Sequence, residues 1–186
     1  TTNMSVQLSP IIAGVMNWGV WDKNLNTKEF AHLINLFIEN GITTFDHADI
    51  YGGYTTEEAF GKALTESKID RKKIQLITKC GIQYISVKRP ENHIKHYEYS
   101  KDYIIWSAEN SLKNLQTDYL DVFLLHRPSP LMQADEIAEA VSKLKADGKI
   151  LSFGVSNFTS SQTELLRQKT EISFNQVQFS ATHHEA

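Results

Sequence analysis

Six short runs of almost unbroken apolar residues recur along the chain: IIAGV (11–15), ITTFD (42–46), IQLITK (74–79), YLDVFLL (119–125), ILSFGVS (150–156) and FNQVQF (174–179). Runs of this kind suit strands buried on both faces, where side chains on either side of the pleat meet apolar partners. Between them lie stretches with helical spacing. Phe30, Leu33, Ile34, Phe37 and Ile38 fall on one face of a helix, with Thr27 at the N-cap position, Phe30 rather than Glu at the capping-box position, and Gly41 closing the helix after Asn40. Further helices are expected from Thr55 or Thr56 through Leu64, from Ser100 through Leu115, from Ala134 or Asp135 to a stop at Gly148, and from Thr159.

Strand and helix alternating with short connections implies parallel pairing through right-handed crossovers, which leaves a doubly wound sheet or an eight-stranded barrel. No GxGxxG follows the first run, which counts against a dinucleotide-binding doubly wound sheet. Asp46, Lys79 and His126 each stand where an apolar run gives way to a loop, and Tyr51 follows Asp46 by five residues. Only a closed ring of strands brings that many strand ends round one opening, so the expected fold is an α/β (β/α)8 TIM-type barrel. Six strands and five helices fall short of the eight of each in a complete barrel, which usually runs to about 250 residues. The expectation is one domain over residues 1–186, a barrel truncated after the sixth strand and lacking its last two βα units. Its first and last strands would be open to self-association or to completion by a second chain.

With 41% apolar and 22% charged residues, the chain reads as globular. A formal net charge of -3, with lysines scattered among acids, provides no basic face for nucleic acid. The single cysteine, Cys80, suits a reducing compartment, and TTNMSVQLSP lacks the basic and apolar regions of a signal peptide. No apolar run reaches membrane-spanning length, so cytoplasmic localisation is expected. Residues 80–100 form an unusually long connection carrying Tyr84, Tyr97, Tyr99, His93 and His96, which is read either as a substrate-facing loop or as a solvated surface excursion. His93 and His96 have no Cys or carboxylate at ligand spacing, and no metal site is expected.

The four strand-end residues suggest chemistry when taken together. Asp46 would be costly to bury without a cation, and Lys79 can supply one. A phenol titrates near pH 10, so Tyr51 needs a nearby cation to act as an acid at neutral pH, and Lys79 can again provide it. His126, followed by Arg127 and Pro128, would hold a substrate oxygen from across the opening. Singly, each has an ordinary structural explanation: a strand-end cap, a solvated lysine, a packed ring with a wet hydroxyl, a structural histidine.

The stretches GITTFDHADIYGG, LITKCG, YLDVFLLHRPSP, GKILSFGVSNF and FNQVQFS together resemble the aldo-keto reductase superfamily over nearly the whole chain. The resemblance implies reduction of an aldehyde or ketone by hydride transfer from NADPH. It carries the family's tetrad onto Asp46, Tyr51, Lys79 and His126. Tyr51 would be the general acid, Lys79 and Asp46 would tune it, and His126 would orient the carbonyl. Ser156, Asn157 and Gln176 would hold the nicotinamide carboxamide, and Trp21 would line the substrate pocket. Ser156 and Asn157 have a second explanation as caps of the helix near Thr159, and Gln176 as a strand residue satisfying a neighbour. His47 stands where many relatives carry Thr. The stacked aromatic ring and the pyrophosphate and 2′-phosphate loops of the family follow its seventh and eighth strands, beyond residue 186. A non-catalytic, reductase-like regulatory subunit is the alternative reading.

Overall fold

A computed structural model describes residues 6–183. Its main sheet contains β1 (Ile12–Gly14), β2 (Thr44–Asp46), β3 (Gln75–Cys80), β6 (Leu120–Leu125), β7 (Ile150–Ser156) and β8 (Phe174–Gln176), in the order β1-β2-β3-β6-β7-β8. All five pairings are parallel, and the six strands curl into an arc of the (β/α)8 type. Each of the six apolar runs supplies one of these strands. The remaining two, β4 (Ile82–Gln83) and β5 (His96–Tyr97), form a small antiparallel pair inside the long 80–100 connection.

The helices are α1 (Thr27–Glu39), α2 (Tyr51–Tyr54), α3 (Thr56–Ser67), α4 (Lys101–Leu115), α5 (Ala134–Ala146) and α6 (Ser160–Arg167). The cap of α1 lies one residue earlier than the sequence reading placed it. Asn26, not Thr27, accepts from the backbone of Lys28 and Glu29, and the Glu29 side chain returns to the Asn26 N–H, closing a full capping box. Ser100 caps α4, and Thr159 with Gln162 forms a second capping box on α6. Gly148 follows α5 at φ 70°, a left-handed stop that suits glycine.

Two apolar layers share the strands between them. Outward side chains such as Phe45, Leu76, Phe123 and Phe153 pack with Phe30, Phe60, Ile104 and Ile137 of the helices. Inward side chains Ile77, Val122 and Leu124 make a separate cluster, packed by Val6, Leu8 and Phe174. Because strand side chains alternate, Lys79 shares the inner face with Ile77, and His126, one residue past β6, continues the parity of Val122 and Leu124. The register pairs Asp46 with Ile77 and Gly14, and Ser156 with Gln176, so the polar strand ends come level at one mouth.

The contact between α3 and α4 is close because Gly61 has no side chain. A Cβ there would overlap Asn114 O and the backbone of Leu115. Gly61→Ala is therefore expected to destabilise the protein by about 1–3 kcal/mol in chemical denaturation, reversing the gain of about 1 kcal/mol that alanine usually brings to a helix. An unchanged or raised midpoint would contradict this packing.

Candidate active site

Lys79 Nζ is the centre of the mouth. The side chain is 3% exposed, and its ammonium donates to both oxygens of Asp46 at 2.8 and 2.9 Å and to the His47 carbonyl at 2.8 Å. The Tyr51 hydroxyl lies 3.4 Å from the same nitrogen. His126 meets Tyr51 edge to face, with ring centroids 6.3 Å apart, and Trp21 approaches Tyr51 at 6.0 Å while remaining half exposed. Asp46, Tyr51, Lys79 and His126 line one open cavity of about 290 Å³ together with Ser156, Asn157, Gln176, Val177 and Gln178. Seven of the eight residues singled out from sequence therefore face one space, and Trp21 stands beside it.

The Ser-Asn step does not cap a helix, since Thr159 does that. Ser156 Oγ donates to the Gln176 carbonyl at 3.1 Å, and the Asn157 amide donates to Ser156 Oγ at 2.8 Å. Asn157 takes φ 59°, a left-handed conformation that turns the chain at the end of β7. The Gln176 amide donates to Asp46 at 3.2 Å, so this glutamine does satisfy a neighbour, and that neighbour belongs to the site.

Burial governs the protonation states. It pulls the Lys79 ammonium below its usual pKa against the opposing pull of Asp46. It raises the Tyr51 phenol, and Asp46 and Asp49 raise it further. This corrects the simple picture in which Lys79 lowers Tyr51: the ammonium is engaged by Asp46 at shorter range, and the phenol keeps its proton more tightly. His126 is lowered to about 3 by burial, then by Lys79 and Arg127, so its ring is neutral at physiological pH. His47, buried against Phe60 with ring centroids 4.3 Å apart, is likewise lowered to about 3 by burial and Lys79.

The backbone that carries Tyr51 is unusual. Gly52, Gly53 and Tyr54 take φ of 61°, 66° and 69°, three consecutive left-handed residues that make the short α2 a non-helical turn ahead of α3. Glycine adopts this freely, but a bulky residue such as Tyr54 does so at a cost of about 1–3 kcal/mol, which its surroundings must offset. Behind the turn lie groups that sequence reasoning missed: Asp49, Glu57 and Arg89, all buried. Burial first, and Glu57 second, push the Asp49 carboxyl well up. Their only trace in sequence is Asp49, two residues before Tyr51 in DHADIYGG. His93 is exposed and His96 Nδ1 pairs with the Ile94 carbonyl, and among the described residues no three His, Cys, Asp or Glu side chains gather as a metal site. No described helix is long and apolar enough to cross a membrane.

The profile of the "Aldo/keto reductase family" matches residues 10–186. An uncharacterised oxidoreductase of Bacillus subtilis, YcsN, is 47% identical over 178 residues, 95% of this chain and 59% of that protein. A 6-dehydroglucose reductase of Agrobacterium fabrum is 37% identical over 94% of this chain and 59% of its own length. Among solved structures, the holo form of the aldo-keto reductase AKR11C1 from Bacillus halodurans superposes with a TM-score of 0.78 at 28% identity, covering 92% of this chain and 54% of that one. The chain spans little more than half the length of the relatives it matches.

Both buried imidazoles carry a consequence for acid stability. An unfolded histidine binds a proton near pH 6.5 whereas these bind one only near 3, so stability is expected to fall as pH drops from about 6.5 towards 3. Imidazole NMR titration should find both rings neutral at about pH 5, and His47→Gln should flatten the acid limb. A midpoint near 6.5 for either ring would contradict the burial argument.

Proposed function

The chain belongs to the aldo/keto reductase family, and from that membership and the geometry of the mouth we propose that it carries the catalytic residues of an oxidoreductase. The proposed reaction reduces an aldehyde, ketone or sugar carbonyl to an alcohol, with NADPH as the reductant and Tyr51 as the general acid. In this reading residues 1–186 belong to one (β/α)8 barrel domain and hold six of its eight strands. The observation that carries the proposal is the convergence of Tyr51, Lys79, Asp46 and His126 on the same cavity as Ser156, Asn157 and Gln176.

That cavity suits one end of a nicotinamide cofactor. The Asn157 and Gln176 amides bring both donors and acceptors to it, the chemistry that a carboxamide complements, and Ser156 fixes their spacing. Ser156, Asn157 and Gln176 are the residues proposed to hold it. When bound, the cofactor supplies hydride to the carbonyl carbon.

The chain's own residues supply the proton and the orientation. A neutral His126 has one N–H to offer the carbonyl oxygen and adds no competing positive charge. Tyr51 gives its hydroxyl proton to that oxygen as negative charge accumulates there. The raised phenol is consistent with this role, because an alkoxide is more basic than a phenolate and proton transfer is favoured only once the charge has developed. Lys79, 3.4 Å from the phenol oxygen, then stabilises the phenolate left behind, and Asp46 keeps the ammonium in place. Trp21, beside Tyr51 and open to solvent, is proposed to bound the substrate side.

NADPH oxidation by the full-length protein, followed by absorbance with a broad panel of carbonyl compounds, tests the reading. Tyr51→Phe is expected to lower kcat about 10²- to 10⁴-fold, the usual contribution of a positioned acid. Absence of turnover with every carbonyl, or unimpaired turnover by Tyr51→Phe, would overturn it.

A further inference from the structure

The connection over residues 80–100 is not an open flap along its first half, although Ile85 and Val87 point to solvent. It folds back on the turn that carries Tyr51 and touches that turn at four successive points. The Tyr84 hydroxyl donates to the Ile50 carbonyl at 3.1 Å, and Ser86 Oγ donates to the Gly53 carbonyl at 3.2 Å. The Tyr54 ring stacks on Tyr84 at 5.2 Å and 20°, and its hydroxyl donates to the Ile82 carbonyl at 3.2 Å.

Arg89 locks this arrangement from within. Its guanidinium lies between two rings, 4.2 Å from the centroid of Tyr54 and 4.5 Å from that of Trp106 on α4, and one of its nitrogens donates to Gln83 Oε1 at 3.3 Å. Asn92 donates to the same Gln83 oxygen at 2.9 Å and to the Tyr84 carbonyl at 3.2 Å, tying the excursion to itself. The Asp49 carboxyl is buried at the other end of the turn. Its backbone N–H is fixed to the Lys79 carbonyl at 3.1 Å. The segment Asp49–Tyr54 is therefore held at both ends, by the backbone bond of Asp49 and by Arg89 over the Tyr54 ring, with Tyr51 in the middle.

We propose that Arg89 and Tyr84 are positioning residues for Tyr51: the 80–100 excursion clamps the left-handed Gly52–Gly53–Tyr54 turn and so sets the reach of the Tyr51 hydroxyl to the mouth. The inference rests on Tyr51 being the acid of the proposed reaction. The physical argument is that a turn built on two glycines and one disfavoured tyrosine conformation has little rigidity of its own. Proton transfer demands fixed geometry, so the rigidity comes from the neighbouring chain. Every contact of the excursion with the turn falls on a backbone carbonyl or on Tyr54, and none falls on the Tyr51 hydroxyl.

Steady-state kinetics of the full-length protein test this with Arg89→Met, Arg89→Lys, Tyr84→Phe and Tyr51→Phe compared under one set of conditions. Arg89→Met is expected to lower kcat roughly 10- to 100-fold, the scale of a misplacement near 1 Å, with KM changed less than about twofold. Arg89→Lys, which keeps a cation over the rings, should recover part of the loss. Tyr84→Phe, which removes one hydroxyl from a half-buried ring, should fold normally and lower kcat several-fold, and it decides the matter if Arg89→Met does not fold. Unchanged kcat in Tyr84→Phe and Arg89→Met, with turnover still abolished in Tyr51→Phe, would overturn the clamp and leave the proposed reaction standing. A raised KM at constant kcat would overturn it too, by showing that the excursion binds substrate instead. Unimpaired Tyr51→Phe would remove the proposed reaction, and the clamp's purpose with it.

Discussion

Lys79 cannot be buried where it is without Asp46, and the mouth of the barrel is organised around that fact. An ammonium 3% exposed at the end of a central strand needs its charge balanced and its three N–H donors used. Both Asp46 oxygens and the His47 carbonyl meet that need within 2.9 Å. The remaining interactions of the site follow from the pair. Gln176 docks on the second Asp46 oxygen, and Tyr51 is left facing the ammonium at longer range. The positive charge helps keep His126 and His47 neutral.

The pair is also where burial acts against chemistry and is contained. Taken from water, the phenol of Tyr51 holds its proton more firmly, and the nearby carboxylates strengthen that hold. A site with Tyr51 alone would be a poor proton donor to a neutral carbonyl. It becomes a competent one when the acceptor oxygen bears developing negative charge, with a cation in place to receive the phenolate. The same low-polarity surroundings thus restrain the proton in the ground state and strengthen the electrostatic response once reaction begins.

Much of this was legible in the sequence, because strand parity and strand ends are written in the residues themselves. The apolar runs marked all six barrel strands, and the position of Asp46, Lys79 and His126 at their C-terminal ends sufficed to bring them to one opening. Helix starts at Ser100 and Thr159 were equally plain. What was not legible depended on contacts between segments distant in sequence. Asn26 displaced Thr27 as the cap of α1 because Glu29, not Phe30, could reach back to it. The upward shift of Tyr51 depended first on the depth of the site and then on Asp46 and Asp49, and the motif that contains both carboxyls does not record how deeply the phenol is buried beside them. The long 80–100 connection gave no periodic signal, since its strands β4 and β5 are only two residues each and Arg89 between Tyr54 and Trp106 orders the rest of its first half.

The dependence of the mouth on its buried ion pair is most directly measured by a double-mutant cycle on folding stability with Asp46→Asn and Lys79→Met. Lys79→Met alone strands a buried carboxylate and is expected to cost about 3–5 kcal/mol, whereas removing both charges should recover most of that loss. A double variant destabilised by the full sum of the two single effects would contradict the account.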